Sequence, residues 1–242
     1  YVMLIFQADI AIPEPPLAGH VVGVDVGLEY FLSTSDGLQL ERPKFFVNLQ
    51  RKLKLLQRRL KRKQPGSANW KKAQFKVARL HERIANTRRD FHFKAAHKLC
   101  DEADVIVVED LNLVSLSKGF LGKHMLDAGH GQFLNSILPW VAFKRGKALV
   151  KEEAAGTSQE CPACGKLVPK FLNIRWHECS CGCSMARDIA SSLVLRNRFE
   201  KRCRAASAEN APGEVLAGVS FGTSSQDSVK GESTAIREAL AG

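Results

Sequence analysis

No stretch of this sequence approaches the roughly 18–20 uncharged apolar residues that a membrane-spanning helix needs. The first ten residues, YVMLIFQADI, are apolar but lack a basic leader and carry Asp9, which argues against a secretory signal. Disorder throughout is excluded by a hydrophobic fraction of 45% beside a charged fraction of 25%, and 242 residues suffice for a real core. Acids are also scarce. They number 25 against 36 Lys and Arg, giving a formal charge of +11.

The shortage of acids is local. Between Arg51 and Lys98 stand 17 basic residues and only two acids, Glu82 and Asp90. Beyond Cys203 three basic residues meet five acids, so the positive charge forms a stripe rather than a tail. Such a stripe favours a polyanion, nucleic acid first and an anionic membrane surface second. Arg51, Lys54, Arg58, Arg59, Lys61, Arg62, Lys63, Lys71 and Lys72 are its candidate phosphate contacts. A solvated basic helix face is the plainer alternative.

Periodicity orders the chain. VVGVDVG at 21–27 suits a buried strand, and Asp36-Gly37 marks a tight turn within a three-stranded antiparallel meander. Leu49, Leu53, Leu56 and Leu60 make a heptad stripe that stops at Pro65-Gly66-Ser67. Ala73, Val77, Leu80, Ile84, Thr87 and Phe91 resume it, which predicts an antiparallel helical hairpin over 48–100. A second buried strand is expected at 104–109, and an amphipathic helix over 131–146 through Phe133, Ile137, Trp140 and Val141. A short strand at 147–153, a cysteine-rich block at 157–183 and a last helix from Ala186 to about Lys201 follow. The final forty residues, 203–242, read as a flexible tail. The chain opens on Tyr1 rather than Met, and a missing N-terminal part is the expectation.

With the hairpin and the cysteine block set aside, the order is that of a mixed α/β ribonuclease-H-like fold. Such folds set acids at the ends of central strands, where two divalent metals stabilise in-line attack on phosphorus. Asp25, Glu109 and Asp188 fall at those places, and carboxylates suit Mg²⁺ because it is a hard cation. Asp110 competes with Glu109 at this point, although strand alternation forbids both from facing one metal pair, and Asp110 is better placed to support the turn that follows.

Five of the seven cysteines lie between 161 and 183, which reads as metal ligation rather than disulfide formation. Cys161-Pro-Ala-Cys164-Gly165 is a zinc knuckle, and Cys179, Cys181 and Cys183 offer three candidates for the two remaining places. Cys179 and Cys181 are preferred because Cys181-Gly182 repeats Cys164-Gly165; Cys183 and His177 are held in reserve. Four thiolates leave no open position, so the metal would be structural zinc.

The ordered set GVDVGLEYFLSTSDG, IVVEDLNL, DAGHGQFLNSI, GTSQECPACG and ECSCGCSMARDIASS resembles the C-terminal half of the TnpB (OrfB) proteins of insertion sequences, relatives of the type V CRISPR nucleases. The resemblance covers about residues 20–200. It implies a RuvC-like nuclease core over 19–156 and 184–202, split by the hairpin and a zinc ribbon, with residues 1–18 ending an N-terminal lobe. It further implies that Asp25, Glu109 and Asp188 cut DNA with Mg²⁺ under a guide RNA, in a monomeric ribonucleoprotein at the prokaryotic nucleoid, without a membrane. The family's last motif reads Asp-Arg-Asp followed by Asn-Ala-Ala. Here it is Ala186-Arg187-Asp188 followed by Ala190-Ser191-Ser192, so the metal-binding acid is kept and the neighbouring acid and Asn are absent. A nucleic-acid-binding remnant without nuclease activity is the competing reading.

Overall fold

The computed structural model describes residues 18–119, 121–171 and 173–209. The chain divides into two units at Cys203/Arg204. The expectations for residues 1–17 and 210–242 lie outside the described residues. Among the described residues no helix is long and apolar enough to cross a membrane.

The first unit is built on a five-stranded mixed sheet. Strands β1 (Val21–Val26), β2 (Tyr30–Thr34) and β3 (Gln39–Glu41) form the expected antiparallel meander. Gly37, at φ +89°, takes a left-handed turn conformation that a side chain would strain. Strand β4 (Val105–Asp110) lies parallel to β1, and β5 (Ala148–Glu153) parallel to β4, giving the order β3-β2-β1-β4-β5.

Both faces of the sheet are covered, which explains why β4 is apolar without alternation. On one face Val22, Val24, Phe31, Leu32, Ile106 and Val108 meet two helical segments. One is the C-terminal half of α2 (Ala68–Glu102), through Ala95, Ala96 and Leu99. The other is the run made of α5 (His130–Gln132), a π turn (Phe133–Ile137) and α6 (Leu138–Lys144). On the opposite face Val105, Val107 and Val150 pack against Leu195 and Phe199 of α7 (Arg187–Glu209). A Cβ on Gly23 would stand 1.9 Å from the Ser192 carbonyl oxygen, so β1 and α7 touch only because this residue has no side chain.

Helix α1 (Gln50–Lys61) packs on α2 around Leu53, Leu80 and Ile84, as the heptad stripe predicts. Ser67 caps α2, its hydroxyl accepting from the Trp70 N–H. The short helices α3 (Leu113–Lys118) and α4 (Gly122–Ala128) follow β4. Buried Asp127 accepts from the Phe46 N–H, tying the base of the hairpin to the core.

Three expectations are corrected. Helix α2 is 35 residues long, and its second half is a core helix rather than part of an inserted hairpin. Trp140 is 52% exposed and meets Phe93 edge-on rather than filling the core, because the π turn rotates the face that follows it. Residues 203–209 continue α7 instead of opening the tail.

Candidate functional site

Parallel pairing of β1 with β4 brings their C-terminal ends together. Val24 pairs with Val108, and the same register carried one residue onward sets Asp25 beside Glu109 on the same face. Asp188 arrives from the first turn of α7, where the helix dipole favours an acid. Its carboxylate reaches the end of β1: a Cβ on Gly27 would lie 3.9 Å from Asp188 Oδ2.

The electrostatics follow from that convergence. Desolvation pushes the Asp25 carboxyl well above the ordinary aspartate range, and the charges of Glu109 and then Asp188 push it further. The Arg187 guanidinium and the Val26 N–H oppose this without cancelling it. Burial also raises the Glu109 carboxyl, offset in part by a hydrogen bond from Thr157 and by the Arg198 charge. Glu109 is 9% exposed, whereas the Asp110 side chain is 66% exposed and lies 3.7 Å from Lys151. The turn after β4 is held by Asn112, whose Oδ1 accepts from the Ser115 N–H; among the described residues Asp110 makes no such bond.

The charges of Glu109 and Asp188 act against that of Asp25, a repulsion that a shared cation would relieve. Hard oxygen donors from two strand ends and a helix N-terminus form a set that fits Mg²⁺. Among the described residues the ligand atoms of the three are not all within 4.8 Å of one another; the groups that meet that limit both involve the cysteine block.

There Cys161, Cys164, Cys179 and Cys181 converge. The Sγ atoms of Cys161 and Cys181 are 3.7 Å apart, and those of Cys164 and Cys179 are 3.6 Å apart. Zinc–sulfur bonds of about 2.3 Å at tetrahedral angles imply sulfur separations of about 3.8 Å, so the geometry fits zinc closely. The two halves are built alike. Gly165 and Gly182, at φ +72° and +90°, turn the chain after each knuckle, and the Gly165 N–H and Gly182 N–H return to the Cys161 and Cys179 carbonyls. Burial pushes the Cys161 thiol up, but the N–H groups of Cys164 and Ala163 and the His177 side chain outweigh it and bring it to about 5. Cys161, His177 and Cys183 form a second compact group, with the Lys170 amine against His177 Nδ1. Strands β6 (Trp176–Glu178) and β7 (Ser184–Ala186) close this cysteine-rich hairpin.

All nine candidate phosphate contacts, from Arg51 to Lys72, are exposed, and none pairs with an acid among the described residues. Lys54, Arg58 and Lys61 line one shallow groove on α1.

Sequence reasoning passed over Thr157, Arg187 and Arg198. Arg187 donates to the Ile174 carbonyl and stands 3.6 Å from Asp188. The available signal was position alone: Arg187 adjoins Asp188, and Thr157 precedes the first knuckle by four residues.

Residues 6–118 match the family model of the IS605-type OrfB proteins, described as "Probable transposase". Residues 130–195 match the Cas12f1-like TNB domain. A protein of Streptomyces pristinaespiralis named "Putative RNA-guided DNA endonuclease" is 35% identical over 181 residues, covering 74% of this chain and 45% of that protein. InsQ of Escherichia coli K12, which bears the same descriptive name, is 32% identical over 181 residues, covering 68% of this chain and 44% of its own. The chain thus spans less than half the length of these relatives. In fold it is similar to Cas12f1, solved by cryo-electron microscopy in complex with sgRNA and target DNA, with a TM-score of 0.52 at 16% identity over 78% of this chain and 52% of the other. The sheet strands β1–β4 and the helical hairpin fall within the stretch that matches the first of these models, and the cysteine cluster within the stretch that matches the second. More narrowly, the chain is similar to the TnpB (OrfB) proteins.

Proposed function

We propose that this chain is the nuclease portion of a transposon-associated RNA-guided DNA endonuclease with a RuvC-like, ribonuclease-H-type core. The observation that carries the reading is the meeting of Asp25, Glu109 and Asp188, with the Asp25 carboxyl held high by burial and by the other two charges. The names of the relatives support the same activity. Two Mg²⁺ ions, when bound, would activate water and stabilise the leaving 3′ oxygen of the cut strand. The chain's own part is to hold three carboxylate groups in register from β1, β4 and α7, and to keep the site largely dry. Arg187 balances part of their charge beside Asp188. Exposed Arg and Lys of α1 and α2 grip the phosphates of a guide RNA–target DNA duplex, in a monomeric ribonucleoprotein at the prokaryotic nucleoid. The four-cysteine cluster takes zinc as a structural ion. The nuclease core spans 19–156 and resumes after the ribbon at 157–183, with α7 as its last helix.

The test is cleavage of labelled DNA in Mg²⁺. Asp25→Ala, Glu109→Ala and Asp188→Ala should each abolish nearly all activity, since residues acting as one unit are non-additive. Asp110→Ala should keep a substantial fraction. A dead Asp110→Ala beside an active Glu109→Ala overturns the assignment, and cleavage that survives all three substitutions removes the two-metal reading. One observation favours a nucleic-acid-binding remnant instead: Ala186 stands where the resemblance places an acid. Cleavage by the unaltered chain that stops with Asp25→Ala excludes that alternative.

A further inference from the structure

The loop between β5 and the first zinc knuckle places one buried hydroxyl on the proposed catalytic centre. Thr157 is 3% exposed, and its Oγ1 donates to Glu109 Oε1 at 2.5 Å. The Ala154 carbonyl is the other acceptor within reach of that hydroxyl, at 3.1 Å. A hydroxyl has one proton, and the carboxylate is the stronger and nearer acceptor.

The loop that presents Thr157 is itself clamped. Arg198 of α7 donates through Nη1 to the Glu153 carbonyl at 3.0 Å and through Nη2 to the Ala155 carbonyl at 2.9 Å. The same guanidinium grips Glu160 Oε2 through Nε at 3.0 Å and Nη2 at 2.7 Å. Gly156, at φ +77°, bends the chain between Ala155 and Glu160, both of which are held by this side chain. Glu160 immediately precedes Cys161, a member of the four-cysteine cluster. The loop is therefore fixed at one end by the sheet, in the middle by Arg198, and at the other end by the knuckle.

We infer that Thr157 is a positioning residue for Glu109: its hydroxyl ties down one carboxylate oxygen and thereby sets the orientation in which Glu109 meets a divalent cation. A glutamate carboxyl rotates freely about its last bond, with a broad two-fold preference. One anchored oxygen removes that freedom before a cation arrives, so the cation bears less ordering entropy on binding. The same anchoring makes the zinc-binding hairpin a brace for the catalytic acids, through Glu160, Arg198 and Thr157. This inference rests on the nuclease reading above.

The experiment is Mn²⁺ binding to the full zinc-loaded chain, followed by electron paramagnetic resonance, for the unaltered protein and for Thr157→Val, Thr157→Ser, Thr157→Ala and Asp25→Ala. Val keeps the shape of Thr and removes the donor, whereas Ser keeps the donor. Outer-shell partners of metal ligands are typically worth about 10–100-fold in affinity, so Thr157→Val should bind Mn²⁺ at least about tenfold more weakly while Thr157→Ser stays close to the unaltered chain. Zinc content and circular dichroism should be the same for all. Should Val disturb folding by these two measures, Thr157→Ala, which adds no bulk, supplies the reading in its place. Donor-less variants that bind Mn²⁺ as tightly as the unaltered chain, or a Ser variant as weak as Val, overturn the inference and leave the nuclease reading standing. Failure of the unaltered chain to bind Mn²⁺, or binding indifferent to Asp25→Ala, removes the nuclease reading and this inference with it.

Discussion

His92 and His130 both stack on the Phe31 ring, at centroid separations of 5.2 and 5.0 Å, and both are fully buried. The His92 Nε2 bonds the Ala128 carbonyl at 2.9 Å. Desolvation lowers each imidazole from 6.5 to about 4, helped by the nearby guanidinium groups of Arg88 at His92 and Arg42 at His130. Asp127, 3.7 Å from Arg88, is the acid beside this cluster. Both rings are neutral when folded and take up protons on unfolding, so their stability is complete above about pH 6.5. It is lost as pH falls toward 4, at an upper extent of roughly 3 kcal/mol per ring. Denaturant midpoints measured from pH 7 to 4.5 should fall steeply, and His130→Phe should flatten that limb. An unchanged limb in His130→Phe would show that this ring is not the acid-sensitive group.

Among elements, the cysteine-rich hairpin depends most on something other than packing. Of its described residues only Thr157, Cys161 and His177 are buried, while Leu167, Phe171 and Trp176 lie 68%, 80% and 52% exposed. So small an apolar interior cannot offset the entropy of ordering the segment. Zinc held by four thiolates contributes on the order of 10 kcal/mol toward that cost. Metal analysis should therefore find about one zinc per chain, lost in Cys164→Ala and kept in Cys183→Ala. Loss in Cys183→Ala instead would assign the metal to the group formed by Cys161, His177 and Cys183.

Across the whole molecule the net charge of +11 is less informative than its placement. The buried stripe of α1 and α2 meets through Leu53, Leu80 and Ile84, which turns the basic residues between them outward. Each phosphate contact on duplex DNA releases counterions and adds about 0.9 to the slope of log affinity against log salt. Reversing charge at Arg58, Arg59, Arg62 and Lys63 should weaken DNA binding and lower that slope by up to about four. Binding unchanged in both respects would return the stripe to an ordinary solvated surface.

Local pattern determined what has a local cause. β-Branched runs specified β1 and β4, heptad spacing specified the pairing of α1 with α2, and Cys-Gly repeats specified two like knuckles. Each of those rests on residues within a turn or two of one another, where backbone geometry alone sets which side chains share a face. Other choices needed the folded chain. Asp25 meets Glu109 rather than Asp110 because β1 and β4 are parallel in one register, a fact carried by hydrogen bonds between residues 84 apart. Helix α2 serves the hairpin at one end and the core at the other, since only docking tells which turns of a continuous apolar stripe face the sheet. Thr157 reaches Glu109 across 48 residues. No periodicity in the sequence marks such a contact, because it arises only when the sheet, α7 and the knuckle fix both ends of the loop at once.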